Sequence, residues 1–411
     1  MDTLWTRDFK LIFGGTLISA IASQAMYIPL SLMTYASTSS IKLSSYIMII
    51  SMLPSIILPL VVSPLVDRAP KKYIIVGLDY FNALTYFFFA FLTREGFVYN
   101  HYLLLALIIG ANGAIYQIAY QAWYPMLIPQ GHMQRGYAVS STLYPMVMMV
   151  MAPVASFMYK YIPMHYLFII VGVLSAMAAT AELFIKDQGR VPGHSMDLKA
   201  YFSDIKEALA FLKNEKGLVN IYTYMAFSSG VAHAGLLYVQ VFFQNSLILG
   251  VTRLGFLTTA ETLGRVLGGM LQYKVIIPAK KRFKITQFVY YSYGVLDIIL
   301  LYLSYPLMLL NRFIAGSMGV TSATLRETSV QAYLPNKLRA KVLSFSHIAS
   351  SLVMVVFQYL GGILGDSLGP RKSMVLLSSF LLIVAFIFIS LPAKENAKVY
   401  TATDEKTLAS I

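Results

Sequence analysis

Apolar residues in this chain neither alternate with polar ones nor form narrow stripes. They continue for roughly twenty residues at a time, and short polar segments interrupt them. An apolar run of about 20 residues, wound as a helix, crosses about 30 Å of hydrocarbon. Without a period-two alternation these runs do not suit the strands of a closed barrel, so they predict membrane-spanning helices. Twelve are predicted, over residues 10–37, 43–66, 73–92, 102–128, 137–159, 164–185, 218–247, 254–274, 283–304, 307–334, 342–364 and 373–391. One long polar stretch, 186–216, separates the sixth from the seventh. Pro192 and Gly193 break it early. Beyond them Leu198, Phe202, Ile205, Leu209 and Leu212 recur at helical spacing between charges. That spacing predicts an amphipathic helix over 197–214, lying on the membrane surface or serving as a plain linker. The expected organisation is a six-helix bundle over 1–186, a cytoplasmic linker over 187–216, and a second six-helix bundle with a short tail over 217–411.

Composition agrees. Of 411 residues 57% are hydrophobic and 12% charged, where a soluble chain carries about 25% charged residues. The net charge of +14 would suggest nucleic acid in a soluble protein. Here the charge is sorted by side: 23 basic residues fall in loops on the side of the termini and 6 on the other, with Arg265, Arg312 and Arg326 inside apolar runs. The asymmetry predicts cytoplasmic termini facing an anionic leaflet, and no nucleic-acid partner. Arg371 and Lys372 run against it. Cysteine is absent, which excludes disulfides, thiolate metal sites and cysteine nucleophiles. The N-terminus lacks a cleavable signal pattern, so the first apolar run is taken as the first span. No metal-spaced set, nucleophile elbow or phosphate-binding loop is present, so no enzyme and no cofactor is expected. With no ATP site, any transport draws on an ion gradient or on the substrate's own gradient.

The halves repeat. Gln121-Ala122-Trp123-Tyr124-Pro125 closes the fourth span, and Gln331-Ala332-Tyr333-Leu334-Pro335 closes the tenth. Arg135 and Ser140 then answer Arg339 and Ser344. A duplicated six-helix unit implies two bundles about an axis along the membrane normal. Between the second and third spans stands Ser63-Pro64-Leu65-Val66-Asp67-Arg68-Ala69-Pro70-Lys71-Lys72. This loop resembles the Gly-x-Leu-Ala-Asp-Arg-x-Gly-Arg-Lys loop of the major facilitator superfamily, with Leu65, Asp67, Arg68 and Lys72 matching and Lys71 replacing Arg.

With twelve spans and paired Gln…Pro…Arg closures, the resemblance to that superfamily covers nearly the whole chain. It is strongest to the macrolide-efflux and siderophore-exporter branch, which carries Pro in the Pro70 slot and a series like Arg326, Glu327 and Gln331. Ala152, Pro153 and Ser156 occupy the positions of that superfamily's exporter pattern Gly-Pro-x-x-Gly, keeping small residues but losing both glycines. The resemblance implies an all-α membrane protein of two pseudo-symmetric six-helix bundles in a bacterial-type cytoplasmic membrane, and a monomer among membrane lipids. It implies a secondary transporter exporting a drug-like or metallophore-like small molecule, with a lipid flippase as the alternative. Asp67, Arg68, Lys71 and Lys72 would then form a gating loop that helps close the cytoplasmic side.

Polar stripes mark the spans expected to line a cavity: Gln24 and Tyr27 on the first, Asn112, Tyr116, Gln117 and Tyr120 on the fourth, His233, Gln240 and Gln244 on the seventh. Taken singly, each residue also suits a hydrogen bond between helices. Charge inside an apolar run is more telling, since each such ion costs about 2.5–3.5 kcal/mol even on the insertion scale. Glu261 and Arg265 stand one turn apart on the eighth span, and Arg326 and Glu327 are adjacent on the tenth. These four are the candidates for coupling to a proton gradient, Glu327 first, with a structural salt-bridge network as the competing reading. Asp79 and Asp297 are expected to be structural, and Glu182 to reach out from the cytoplasmic end of the sixth span.

The topology has a direct check, since the native chain has no cysteine. A single Cys at Ser39 should react with an impermeant thiol reagent added outside, and one at Ser203 should resist it. The reverse pattern would end this topology.

Overall fold

The computed structural model describes residues 4–186, 198–275 and 277–402, without the side chains of 60, 63–65, 67, 68, 134, 198–202, 273, 274 and 340. It is helical throughout, with no strand among the described residues. Six long helices come first: α1 (Arg7–Thr38), α2 (Ile41–Arg68), α3 (Lys71–Leu92), α4 (Tyr99–Trp123), α5 (Met133–Tyr161) and α6 (Met164–Leu183). The short α7 (Leu198–Leu212) follows. Then come α8 (Lys216–Asn245), α9 (Gly250–Lys274), α10 (Ala279–Leu300), α11 (Tyr305–Tyr333), α12 (Asn336–Ala385) and the terminal α13 (Ala393–Tyr400).

Helix α12 is two helices joined at a kink. Gly369 takes φ 76° there, a left-handed conformation that suits glycine, and Pro370 restarts the helix without needing its N–H. The eleventh predicted span thus runs on past its expected end at 364 to Gly369. Counting both limbs, a long helix stands at each of the twelve predicted spans. Among the described residues eight segments are apolar enough to cross a membrane by length and composition alone. Helices α9, α10 and α11 fall short of that measure. They carry the ionisable residues Glu261, Arg265, Asp297, Arg312, Arg326 and Glu327.

The chain forms two compact units. One comprises 1–196 with 247–259, the other 197–246 with 260–411. The loop before α9 and its first ten residues therefore group with the N-terminal unit, where Thr259 Oγ1 donates to the Met149 carbonyl of α5 at 2.8 Å. Gly255 lies directly against the Ala152-Pro153 backbone.

Each unit uses the same close crossing. In the first, Gly110 of α4 lies against the Ser51 carbonyl of α2. In the second, Gly316 of α11 lies against the Glu261 carbonyl of α9, and Gly264 lies against the Phe313 carbonyl. A side chain at these glycines would strike backbone. Small residues that let helix backbones touch are the usual device where no hydrophobic force separates helix from lipid. The duplication read from the Gln…Pro closures therefore extends to packing: the second and fourth spans cross as the eighth and tenth do.

Within the C-terminal unit, Lys341 at the start of α12 reaches Asp204 of α7 at 2.8 Å and also bonds Glu207. Ala208 and Leu212 of α7 are buried, while Leu209 is exposed. The amphipathic helix is thus pinned to its own unit by one face. Arg371, one of the two residues against the charge rule, donates Nε to the Leu301 carbonyl at 3.0 Å and lies over the Phe242 and Tyr302 rings. That arginine is explained by local packing.

Gly316→Ala should destabilise the detergent-solubilised protein by about 1–3 kcal/mol, as overpacking does. Gly269→Ala meets only Val320 at ordinary contact distance and should be neutral or stabilising by about 0.5–1 kcal/mol. Thermal unfolding of the two variants side by side checks the contrast.

Candidate functional site

The intramembrane charges divide unequally between the units. In the C-terminal unit acids and bases balance. Arg312 Nη2 donates to Asp297 Oδ1 at 2.6 Å, and both side chains are nearly covered. Arg312 also donates to the Asn311 side chain, whose amide in turn donates to the Leu296 carbonyl at 3.0 Å. Arg265 bonds Glu261 at 2.7 Å, one turn along α9, with its side chain 53% exposed. Arg326 bonds Glu327 at 3.0 Å. This last pair is lopsided: Arg326 is 14% exposed and points inward to the Met225 sulfur at 3.1 Å, whereas Glu327 is 51% exposed. Glu327 is therefore less buried than its place in an apolar run implies. Asp297 gains the partner its own helix lacks, from α11.

The N-terminal unit holds two buried acids, with no base beside them among the described residues. Asp79 of α3 is 4% exposed and Glu182 of α6 is 0% exposed. Glu182 does not reach outward as expected. The end of α6 packs on α1, and the glutamate side chain lies on Gly15, in the space a larger residue there would fill. Its carboxyl meets that of Asp79. Ser19 of α1 donates Oγ to Asp79 Oδ2 at 3.0 Å. Tyr116 of α4 brings its hydroxyl to Glu182, yet neither that hydroxyl nor either Glu182 oxygen completes a hydrogen bond of standard geometry.

The polar stripe of α4 serves this place. Tyr116, Tyr120 and Tyr124 stack in sequence, with centroids 6.0 and 5.1 Å apart. Asn112 Nδ2 donates to the Leu78 carbonyl of α3 at 2.8 Å, and the Tyr124 hydroxyl to the Gly136 carbonyl at 2.7 Å. Gln117 and Tyr27 are exposed, and Gln24, His233 and Gln244 half-buried. Gln240 is buried. Of the gating-loop residues, the side chains of Asp67 and Arg68 lie outside the described residues. Lys71 is buried and Lys72 half-buried. A cavity of about 680 Å³ is lined by Lys213, Lys216, Asn220 and Glu395, among others, and by none of the candidate residues. No set of three or more His, Cys, Asp or Glu side chains fit to hold a metal occurs among the described residues.

Part of this was signalled in the sequence: both acids lie in first-half spans, while all three arginines inside apolar runs lie in the second half. Acids with no base at hand need a donor or a proton, but nothing in the sequence brings these two together.

A model of the Major Facilitator Superfamily matches residues 12–303. The chain belongs to this superfamily. No curated protein matches significantly. Among solved structures, a variant of the nucleoside transporter NupG is similar at 13% identity, covering 94% of this chain and 100% of its own, with a TM-score of 0.69. A bacterial homologue of the human lysosomal transporter Spinster, also 13% identical, covers 96% and 98% with a TM-score of 0.68. A variant of a POT peptide transporter, 11% identical, covers 95% of each chain with a TM-score of 0.67. At these identities the likeness is one of fold. The superfamily member described here is a multi-pass membrane transporter and not an enzyme.

The two kinds of ion pair in the C-terminal unit should separate on mutation. Arg312→Ala strands Asp297 and should cost about 3–5 kcal/mol. Arg265→Ala breaks a half-exposed pair and should cost about 0–1 kcal/mol. Thermal unfolding in one detergent compares them.

Proposed function

We propose that this superfamily member is a secondary active transporter that exports a small molecule from the cytoplasm by alternating access, coupled to proton entry. The substrate is of the drug-like or metallophore-like kind. The Arg326, Glu327 and Gln331 series, and Pro70 in the gating loop, support the efflux branch. The 23-to-6 sorting of basic residues supports cytoplasmic termini in a bacterial-type plasma membrane. In this reading Asp67, Arg68, Lys71 and Lys72 steady the cytoplasmic closure. The exposed Tyr27 and Gln117, with Gln24, His233 and Gln244, face the substrate path.

One observation carries the proton coupling. Arg326 is held inside its unit by Met225, while its partner Glu327 is half exposed. An arginine that stays and a carboxylate that can change surroundings make a pair whose attraction varies with conformation. When a conformational change separates them and leaves the carboxylate in apolar surroundings, it loses the charge that favours its ionised form and takes a proton. When they close, it releases the proton. Arg265 and Glu261 on α9, where the arginine is the more exposed partner, are the second candidate.

Metabolite profiling of cells with and without the gene, inside and outside, identifies the substrate. In reconstituted vesicles Glu327→Gln should then abolish uphill, pH-driven export and leave substrate binding and downhill exchange measurable. Uphill accumulation at the wild-type rate in the Gln variant would make Glu327 structural.

A further inference from the structure

The apolar core of the N-terminal unit is in two parts. One, around Ala22, Met26, Tyr86, Tyr102, Leu105 and Phe168, fills one end of the bundle. The other, around Phe9, Ile12, Ile75, Trp123 and Tyr124, fills the opposite end. Between them lies a polar layer to which five helices contribute. Helix α1 supplies Thr16 and Ser19, α3 Asp79, α6 Glu182, α4 Tyr116 and Tyr120, and α5 Tyr144. Those are the titratable and polar groups around the two carboxyls, and none of them is a cation. We propose that Asp79 and Glu182 form a proton-binding site of the N-terminal unit, sharing one proton between their carboxyl groups.

Three observations lead there. First, the carboxyls touch, and two touching carboxylates without a cation cannot both stay ionised at little cost. Second, the layer has spare hydrogen-bonding capacity. Both Glu182 oxygens and the Tyr116 and Thr16 hydroxyls are buried without a bond of standard geometry. A proton placed between the acids links the two carboxyls and adds a hydrogen bond to the one that the Tyr116 hydroxyl can offer Glu182. Third, the site is specific in its donors. Ser19 gives its hydrogen to Asp79 and so marks that oxygen as the one carrying more negative charge, leaving the proton to Glu182.

This site is separate from the Arg326–Glu327 pair, and its test needs neither substrate nor gradient. Infrared difference spectra of the purified full chain, recorded on alkalinisation, should show one protonated-carboxyl C=O band that outlasts those of the surface carboxylates. Glu182→Gln should remove that band and one bound proton per chain in potentiometric titration. Asp79→Asn should move its frequency, since the partner of the shared proton changes. Ser19→Ala removes the donor that favours ionised Asp79, and should raise the proton affinity of the pair about tenfold. That variant keeps the test alive if Glu182→Gln does not fold. Saturating sodium should leave the band in place. A Glu182→Gln spectrum indistinguishable from wild type, an unmoved midpoint in Ser19→Ala, or displacement of the band by sodium would each overturn the proposal.

Discussion

The cost of charge inside hydrocarbon governs this structure. Each ion on a spanning helix must find an opposite charge, a set of dipoles, or a proton. The C-terminal unit takes the first course three times, with Asp297–Arg312, Glu261–Arg265 and Glu327–Arg326. The three differ in kind. Asp297–Arg312 joins two helices, is nearly covered, and is braced by Asn311; separating it would strand a charge. The other two lie within a single helix and keep one partner half exposed. Pairs of the second kind tolerate rearrangement, because water can replace what the partner provided.

Helix crossing imposes the second constraint. Where Gly110 meets Ser51 and Gly316 meets Glu261, two backbones touch and no side chain can be inserted. The same crossing in both units holds the paired spans in backbone contact. On α9 and α11 it also sets the place of chemistry. Glu261 gives its carbonyl to the contact with Gly316 and its carboxylate to Arg265. The crossing therefore holds the backbone from which that ion pair projects.

Much of the fold was legible because membrane insertion writes itself into composition. Twenty apolar residues admit few structures besides a helix, and the Gln121–Pro125 and Gln331–Pro335 closures disclosed the duplication. The boundary at Gly369 was harder to read, since four glycines near Asp366 each offered a place to stop and only backbone geometry chooses among them. The site was less legible for a definite reason. Ion pairs along one helix follow from spacing, as Glu261–Arg265 does. Pairs between helices depend on rotation about each axis, which apolar runs barely specify when hydrophobic residues surround the helix. Asp297 and Arg312 were both visible, but not their contact. Glu182 stands one residue from the end of α6, where a long side chain is expected to reach outward. Gly15 of α1 admits it instead.

The duplication sharpens what the charges mean. Two units descended from one six-helix plan keep the same crossing, yet one balances its buried ions and the other does not. If ionic pairing served only to hold the helices together, the N-terminal unit would need its own arginines. Among the described residues none stands beside Asp79 or Glu182. Its core packs above and below the Asp79–Glu182 layer with large aromatic side chains, Tyr86 and Phe168 at one end and Trp123 at the other. Two acids retained in such a core without a base add cost and no cohesion, whereas apolar residues of similar volume would fill the space at no electrostatic penalty. Stability therefore does not account for them. What a carboxyl pair has and a leucine pair lacks is a second protonation state.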